Sequence, residues 1–208
     1  MPQVSFSDLI TGLQSGNSLA SFPTDTVPAL ACRPDRAELI FEAKQRSLDK
    51  PLILMAGNIS DLWIYTEGSS SERQIWQAIA TQYLPGALTL VLPASQHVPP
   101  SLNPKDPTTI GLRVPNHAIA RTILQHTGPL ATTSANLSGQ PPLQTIAEIE
   151  LQFPQVLTLS PLELQTQPAV QPFSGNSPAS GVPSTVVRWT GRDWEVLRQG
   201  AITLDRKS

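Results

Sequence analysis

Residues 43–54 constrain the fold of this chain more than any other segment. Seven residues of this segment contain three cations: Lys44, Arg46 and Lys50. An apolar run, residues 52–55, follows them. Pro51 separates the two parts, because proline lacks an N–H and pushes the preceding residue toward extended geometry. The segment therefore predicts the end of a helix over 37–46, a short loop and a buried strand over 52–55.

The direction of Lys44 follows from the residues before it. The apolar side chains upstream recur at helical spacing and continue into the lysine: Ala37, Ile40, Phe41 and Lys44. A lysine thus occupies a position where the next core residue is expected, and we expect it to point into the protein. Spacing alone leaves two interpretations open. The cations either gather at a strand edge to bind an anion, or they complement the negative end of the helix dipole.

Composition limits the class of protein. The chain has 208 residues, of which 39% are hydrophobic, enough for a single domain over 1–208 with one sizeable core. A net charge of −2 argues against a generic nucleic-acid coat, so any RNA contact must be local. A lone cysteine, with no basic-then-apolar leader and no apolar run of membrane-spanning length, predicts a cytoplasmic protein without membrane contact.

The remaining patterns predict a mixture of strands and helices. Strands are expected at 18–22, 87–92, 108–114, 130–133 and 156–159, with a hairpin over 185–197. Helices are expected from Ser5 to Gln14, after capping boxes at Ser69/Glu72 and Thr145/Glu148, and after a cap at Asn116, with a helical turn at 59–65. Because the order lacks strict βαβ alternation, we predict an α/β fold built on a twisted open mixed sheet with surrounding helices.

Four polar residues after or at the ends of three predicted strands are candidates for binding a ligand. Thr26 lies in a hydroxyl-rich loop, Arg113 ends a strand beside Pro115, and Ser134 and Asn136 follow another strand. In open α/β sheets, ligands bind at such strand ends. The alternatives are an ordinary turn, a surface arginine and a capping pair.

Several familiar site patterns are absent from the sequence. No G-x-S-x-G motif surrounds Ser134, so we do not interpret it as a nucleophile. The three histidines and the single cysteine have no metal-ligand spacing, and neither glycine-rich phosphate motif occurs. If ATP binds, side-chain cations must replace the backbone cradle.

Six segments in order resemble the YrdC/TsaC family, the threonylcarbamoyl-AMP synthases of tRNA modification. They are Pro23-Thr24-Asp25-Thr26-Val27; Lys44-Gln45-Arg46 with Asp49-Lys50 and Leu52-Ile53-Leu54; Pro85-Gly86 with Leu88-Thr89-Leu90-Val91; Gly111-Leu112-Arg113-Val114-Pro115; Ser134-Ala135-Asn136-Leu137-Ser138-Gly139; and Pro183-Ser184-Thr185-Val186-Val187, followed by Leu197-Arg198-Gln199-Gly200. The resemblance spans roughly residues 5–201. The chain departs from the family at Pro28-Ala29, where Tyr-Gly is usual, and at Met55, where many longer relatives have a histidine.

The resemblance implies a YrdC-like fold with a concave, positively lined cavity and a nucleotidyltransferase reaction. Threonine and bicarbonate would form a carbamate that attacks the α-phosphate of ATP, with Mg²⁺ accompanying the nucleotide. Partner proteins would then transfer the threonylcarbamoyl group to tRNA. The alternative from another class is a non-catalytic RNA-binding module that uses the same basic concavity, and a third possibility is a relative with altered substrates.

The resemblance also implies roles for particular residues. Lys44 and Arg46 would be catalytic, and no side chain would ligate a metal directly. The implied ATP-binding residues are Lys44, Arg46, Lys50, Thr109, Ser134, Asn136 and Arg198. The implied threonine-binding residues are Thr26, Arg113, Thr132 and Ser184.

A proline-rich stretch at 161–183 is predicted to be an irregular loop, since it carries five prolines with glycine, serine and glutamine. It exceeds the roughly 12 to 15 residues at which structureless loops become uncommon. It leads into the implied threonine site, so we expect a lid that is cut by proteases at Phe173 in the free protein. The alternative is a passive linker.

Overall fold

One mixed β-sheet organises the protein. The computed structural model describes residues 3–166 and 179–204. Within these ranges the strands are Gln3–Val4 (β1), Ala20–Phe22 (β2), Ala29–Cys32 (β3), Ile53–Met55 (β4), Leu88–Pro93 (β5), Thr109–Arg113 (β6), Leu130–Ser134 (β7), Leu157–Leu159 (β8), Thr185–Trp189 (β9) and Trp194–Arg198 (β10). The helices are Phe6–Ser15 (α1), Glu38–Ala43 (α2), Ser70–Tyr83 (α3), Ala118–Thr127 (α4), Ile146–Gln152 (α5) and Pro161–Thr166 (α6).

The strands follow the spatial order β1-β8-β2-β3-β7-β4-β6-β5-β9-β10. The pairs β4–β6 and β5–β9 are parallel, whereas β3–β7, β4–β7 and β5–β6 are antiparallel. The centre of the sheet thus mixes parallel and antiparallel pairs. The prediction of a mixed α/β sheet surrounded by helices is confirmed.

Side chains alternate along each strand, so the two faces of the sheet pack against different helices. On the first face, Leu54, Leu90 and Leu112 join a core cluster with Trp76 of α3 and Ile40 of α2. On the second face, α1 and α4 pack over β8, β2, β3 and β7 through a second core cluster. The part of the second face formed by β7, β4, β6, β5 and β9 carries the cavity described below.

Local signals set most helix boundaries. Both predicted capping boxes are present, with Glu72 bonded back to the Ser69 amide and Glu148 to the Thr145 amide. The cap of α4 is His117, whose Nδ1 accepts a hydrogen bond from the Ala120 amide, so the prediction of Asn116 was wrong by one residue. Among the described residues, no helix is long and apolar enough to span a membrane.

The structure also corrects three predictions about elements. The helix before the cations ends at Ala43 rather than 46, because Gln45 adopts a left-handed φ of 48°. Strand β3 was missed, since four apolar residues between turns give too short a pattern. Residues 161–166 are helical rather than irregular, because Ser160 Oγ accepts a hydrogen bond from the Glu163 amide. Residues 167–178 lie outside the described ranges, so the predicted lid and its cleavage site at Phe173 are not described.

Candidate active-site cavity

A cavity of about 760 Å³ opens over the second face of the sheet. Alternate residues of β6 form its floor, because Thr109, Gly111 and Arg113 face it while Ile110 and Leu112 enter the core. A Cβ at Gly111 would lie 2.7 Å from Ile53 Cγ2, so the absence of a side chain at this position leaves space above the strand. The cavity thus extends over the face of the sheet and is not confined to the strand ends that the sequence pointed to.

The lining of the cavity is strongly basic. Only two carboxylates, those of Asp49 and Asp106, line the cavity. The six cationic residues that line it are Arg46, Lys50, Lys105, Arg113, Arg188 and Arg198. The whole chain has a net charge of −2, so positive charge is concentrated here. Such a concave basic surface attracts anionic ligands.

One wall carries the cations Arg46 and Lys50. Together with Lys44, which lies behind this wall, they form what we call the loop cluster. Arg46 Nε donates to the Lys50 carbonyl at 2.9 Å, and Arg46 Nη2 donates to the Pro51 carbonyl at 2.9 Å. These bonds close residues 46–51 into a turn and use backbone acceptors rather than carboxylates. Burial lowers the pKa of Arg46, and the nearby Asp49 opposes that shift without forming an ion pair. The charge of this wall is therefore left for a ligand.

Lys44 is completely buried, as its helical spacing predicted, and does not line the cavity. Its Nζ donates to the Ser134 carbonyl and, at 3.4 Å, to Asn136 Oδ1. Burial, together with the positive charges of Arg46 and Lys50, lowers the pKa of Lys44 to about 7. In this structure Lys44 holds the loop after β7 from behind the cavity wall.

The loop after β7 is held by several internal hydrogen bonds. Ser134 Oγ donates to Asn136 Oδ1 at 2.6 Å, and Asn136 Nδ2 donates to the carbonyls of Leu137 and Gln140. Ser134 faces the cavity, whereas Asn136 is buried behind it. Asn136 thereby shapes the wall that Ser134 presents.

The opposite wall is a buried network that we call the paired cluster: Asp25, Thr26 and Arg113. Arg113 Nη2 donates to Asp25 Oδ1 at 2.7 Å, and Arg113 Nη1 donates to Thr26 Oγ1 at 2.9 Å. Arg113 Nε donates to the Gly86 carbonyl at 3.1 Å. Burial lowers the pKa of Arg113, and the nearby Asp25 opposes that shift. One cation is thus fixed in one orientation at the end of β6.

A backbone strap at 180–184 covers the paired cluster. The Ser180 amide donates to the Asp25 carbonyl at 3.0 Å, and the Gly181 amide donates to the Thr26 carbonyl at 2.9 Å. The strap ends at Ser184, whose Oγ lies 2.9 Å from Thr89 Oγ1 within the buried lining. The strap therefore brings the hydroxyls of Ser184 and Thr89 to the same end of the cavity.

Arg198 lies between the two walls. Its Nη2 donates to the Ser184 carbonyl at 2.8 Å, and burial lowers its pKa. Its positive charge lowers the pKa of both Arg46 and Arg113, which places it within electrostatic reach of each wall. Gly200 permits this position, because a Cβ there would collide with the backbone of Pro183 and Ser184.

The structure gathers most of the predicted site residues around one space. Of the eleven, only Lys44 and Asn136 stand behind the cavity. The nine that line it are Thr26, Arg46, Lys50, Thr109, Arg113, Thr132, Ser134, Ser184 and Arg198. Thr132 is buried, with its Oγ1 3.4 Å from the Ile53 carbonyl, and Thr109 Oγ1 donates to Asp106 Oδ2 at 3.2 Å.

Sequence reasoning missed several residues of the site. Lys105 lines the cavity, although it lies in a proline-broken loop that matches no motif. Arg188 also lines it, and the alternation of β9 around the buried Val187 was the signal that would have found it. The sequence assigned Asp25 no role beyond its place in a motif, since nothing in the sequence shows that it pairs with Arg113.

Comparisons with known proteins show which family this chain belongs to. The Sua5/YciO/YrdC family model, described as "Telomere recombination", matches residues 13–200. A threonylcarbamoyl-AMP synthase of Photobacterium profundum is 34% identical over 72% of this chain and 82% of its own length. The enzyme of the same name from Vibrio campbellii is 37% identical over 71% of this chain and 80% of its own length.

Two solved structures share the fold. P. abyssi Sua5 complexed with L-threonine aligns with a TM-score of 0.76 at 27% identity over 94% of this chain, which spans 54% of that longer chain. E. coli YciO aligns with a TM-score of 0.73 at 25% identity over 94% of this chain and 88% of that one. Both structures therefore align with nearly the whole of this chain.

Proposed function

Because this chain belongs to the Sua5/YciO/YrdC family, we propose that it is a threonylcarbamoyl-AMP synthase, a nucleotidyltransferase of tRNA modification. The observation that carries the proposal is the cavity itself. A loop of cations without carboxylate partners faces a paired arginine within a hydroxyl-lined pocket. The first suits a polyphosphate and the second suits an amino acid.

The proposed reaction has two steps. Threonine and bicarbonate condense to an N-carboxy amino acid with loss of water. A carbamate oxygen then forms a bond to the α-phosphorus of ATP, while the bond from that phosphorus to the bridging oxygen breaks and pyrophosphate leaves. Such a displacement needs positioning and charge compensation more than covalent help from the protein.

The loop cluster supplies the charge compensation in this proposal. Arg46 and Lys50 lie on the cavity surface without a carboxylate partner among the described residues. They would contact the triphosphate, with Arg198 on the same nucleotide. Thr109 and Ser134 offer hydroxyls along the same wall. Lys44 would act through the Ser134 loop and through its nearby charge.

The paired cluster supplies the amino-acid site in this proposal. Arg113 would receive the threonine carboxylate, because a guanidinium grips a carboxylate through two parallel hydrogen bonds. Thr26, Thr132 and Ser184 line the same end of the cavity and offer partners for the substrate hydroxyl. The complex of the P. abyssi relative with L-threonine supports threonine as the amino-acid substrate.

Magnesium would reach the site with ATP. Magnesium keeps several waters and is usually held by substrate phosphates with one or two carboxylates. Asp49 fits such an ion, because its carboxylate lines the cavity beside Arg46 and Lys50. When bound, the ion would offset phosphate charge. Within the described ranges, no group of three or more histidine, cysteine or carboxylate side chains lies together.

Pyrophosphate release tests the proposal directly. We expect release from ATP to require both threonine and bicarbonate when each is omitted in turn, and mass spectrometry to detect threonylcarbamoyl-AMP. Release that does not depend on threonine would overturn the proposal in favour of another acceptor.

The RNA-binding alternative is not favoured, because the sequence relatives are named as enzymes. A tRNA contact at the cavity rim, and transfer proteins that consume the product, remain part of the proposal. RNA binding that falls steeply with salt, without turnover under any substrate mixture, would instead support the binding module.

A further inference from the structure

Asp25 is a buried carboxylate to which the reaction so far assigns no role. It does not line the cavity, and it contacts the reaction space only through Arg113. Each side chain of this ion pair is 5% exposed, whereas every other ion pair of the described residues has side chains that are at least 37% exposed. Burying such a pair is costly unless its geometry is good, so the arrangement calls for an explanation.

The hydrogen bonds of Arg113 explain why this ion pair is buried. A guanidinium has five N–H donors, one on Nε and two on each terminal nitrogen. Three acceptors occupy one donor each: Gly86 O on Nε, Thr26 Oγ1 on Nη1 and Asp25 Oδ1 on Nη2. One N–H on each terminal nitrogen is left, and two such donors are what a carboxylate accepts in a bidentate pair.

The three acceptors are unequal. The carbonyl of Gly86 and the hydroxyl of Thr26 are neutral, whereas Asp25 is the charged partner and makes the shortest bond, at 2.7 Å. Asp25 is itself fixed from the other side, because its backbone carbonyl accepts from the Ser180 amide of the strap. The carboxylate therefore determines the rotation of the guanidinium plane more strongly than its other partners do.

We propose that Asp25 is a positioning residue for the amino-acid substrate: it orients Arg113 so that the two remaining N–H groups face the substrate carboxylate. The inference rests on the proposed function, since that function places the amino acid on Arg113. Without Asp25 the guanidinium keeps its place in the fold but turns toward other acceptors. Amino-acid binding then weakens while nucleotide binding continues.

Three variants measured by pyrophosphate release test this inference. Asp25→Ala should raise the KM for threonine about 10- to 100-fold, the range expected when one charge-assisted hydrogen bond is lost. The KM for ATP should stay within ~2-fold, since the loop cluster is untouched. Asp25→Asn should lie between Asp25→Ala and the wild type, because an amide oxygen keeps an acceptor at the same place. Asp35→Ala removes the carboxylate of an exposed ion pair with Arg33 and should behave as the wild type.

Chemical rescue separates positioning from a structural role. Formate is small enough to occupy the space left by the Asp25→Ala change, so it should lower the raised KM for threonine and leave the wild type unaffected. Thermal unfolding of both Asp25 variants, with threonine affinity measured by calorimetry, keeps folding defects distinct from binding defects.

The outcomes are separable. An unchanged KM for threonine in Asp25→Ala, or an equal rise in both KM values without formate rescue, overturns the role of Asp25 and leaves the proposed function standing. Wild-type turnover that is independent of threonine overturns the proposed function, and this inference falls with it.

Discussion

The loop cluster and the paired cluster hold their cations in opposite ways. Arg46 bonds two backbone carbonyls and has no carboxylate partner among the described residues. Arg113 is buried against Asp25 and bonded through all three of its nitrogens. One wall therefore carries charge that is available, and the other carries charge that is already balanced and fixed.

The difference matches the ligands proposed for each wall. A triphosphate is flexible and highly charged, so cations that form no ion pair within the protein gain most from binding it. An amino acid is small and carries both charges, so recognition depends on the orientation of a few fixed groups. We therefore expect the loop cluster to control the rate of reaction, and the paired cluster to control stability and the choice of amino acid.

The largest expected difference between the clusters is in stability. Arg113→Met leaves the Asp25 carboxylate buried without its partner and should lower the free energy of unfolding by about 3–5 kcal/mol. Arg46→Met loses two hydrogen bonds to carbonyls that water can replace and should cost about 1–2 kcal/mol. Urea unfolding of the two variants measures both values.

A double variant sharpens this test. Asp25→Asn combined with Arg113→Met removes both charges and should recover part of the loss. If Arg113→Met costs no more than Arg46→Met, the paired cluster is not the rigid part of the site.

The next effect is on the rate. Arg46→Ala should lower pyrophosphate release at least ~100-fold, on the order of 2.7 kcal/mol of barrier, because it removes charge that stabilises the transferring phosphate. The matched control is Arg73→Ala. Arg73 also bonds two backbone carbonyls, those of Thr66 and Gly68, but lies away from the cavity. Equal losses in both variants would show that the effect is structural.

Lys44→Ala should also lower activity at least ~100-fold, by releasing the Ser134 loop and removing a nearby charge. Lys105, by contrast, cannot serve as a neutral control, because it lines the cavity. A loss in Lys105→Ala would therefore not contradict the assignment of Arg46.

The sequence predicted the inward direction of Lys44 because helical spacing is a local property. It also predicted both capping boxes and the final hairpin for the same reason. Strand β3 was missed because its four residues, Ala29–Cys32, form a strand only by pairing with β2 and β7 in the folded sheet. Local patterns therefore fixed most elements but not their order in the sheet.

The candidate site shows the same limit. Motif resemblance named Arg113, yet its pairing with Asp25 links residues 88 positions apart and leaves no periodic signal. Lys105 is brought to the cavity by a loop whose course depends on Asp106 bonding Thr108 and Thr109. The Asp106 bonds are local, but only the folded sheet brings this loop to the cavity. No local pattern could therefore reveal either the Arg113–Asp25 pair or the position of Lys105.

A smaller effect concerns pH and the loop cluster. Lys44 has a pKa of about 7 in the folded protein against an ordinary value of 10.5. Between these values the unfolded state holds a proton that the folded state has released, so the free energy of unfolding should rise with pH, by at most ~1.4 kcal/mol per unit. Below pH 7 both states are protonated and this contribution has no slope.

Lys44→Met isolates that slope, since every other titrating group stays in place. We expect the difference in unfolding free energy between the wild type and this variant to change between pH 7 and 10 and to be flat from pH 5 to 6.5. A difference that is flat throughout would mean that the loop cluster does not disfavour the charge on Lys44.

The smallest effect tests whether the paired cluster selects the amino acid. Met55 pairs in register with Arg113 across β4 and β6 and lines the cavity beside it, so it provides apolar contact for a substrate methyl group. Serine lacks that methyl and should have a kcat/KM about 5-fold lower than threonine, corresponding to roughly 1 kcal/mol. Met55→Ala should bring the ratio of the two substrates toward one without changing the KM for ATP. Leu197→Ala alters the lining beside Arg198 and should leave the ratio unchanged. If Leu197→Ala reduced the ratio and Met55→Ala did not, the methyl group would lie toward Arg198, and the paired cluster would not select the amino acid.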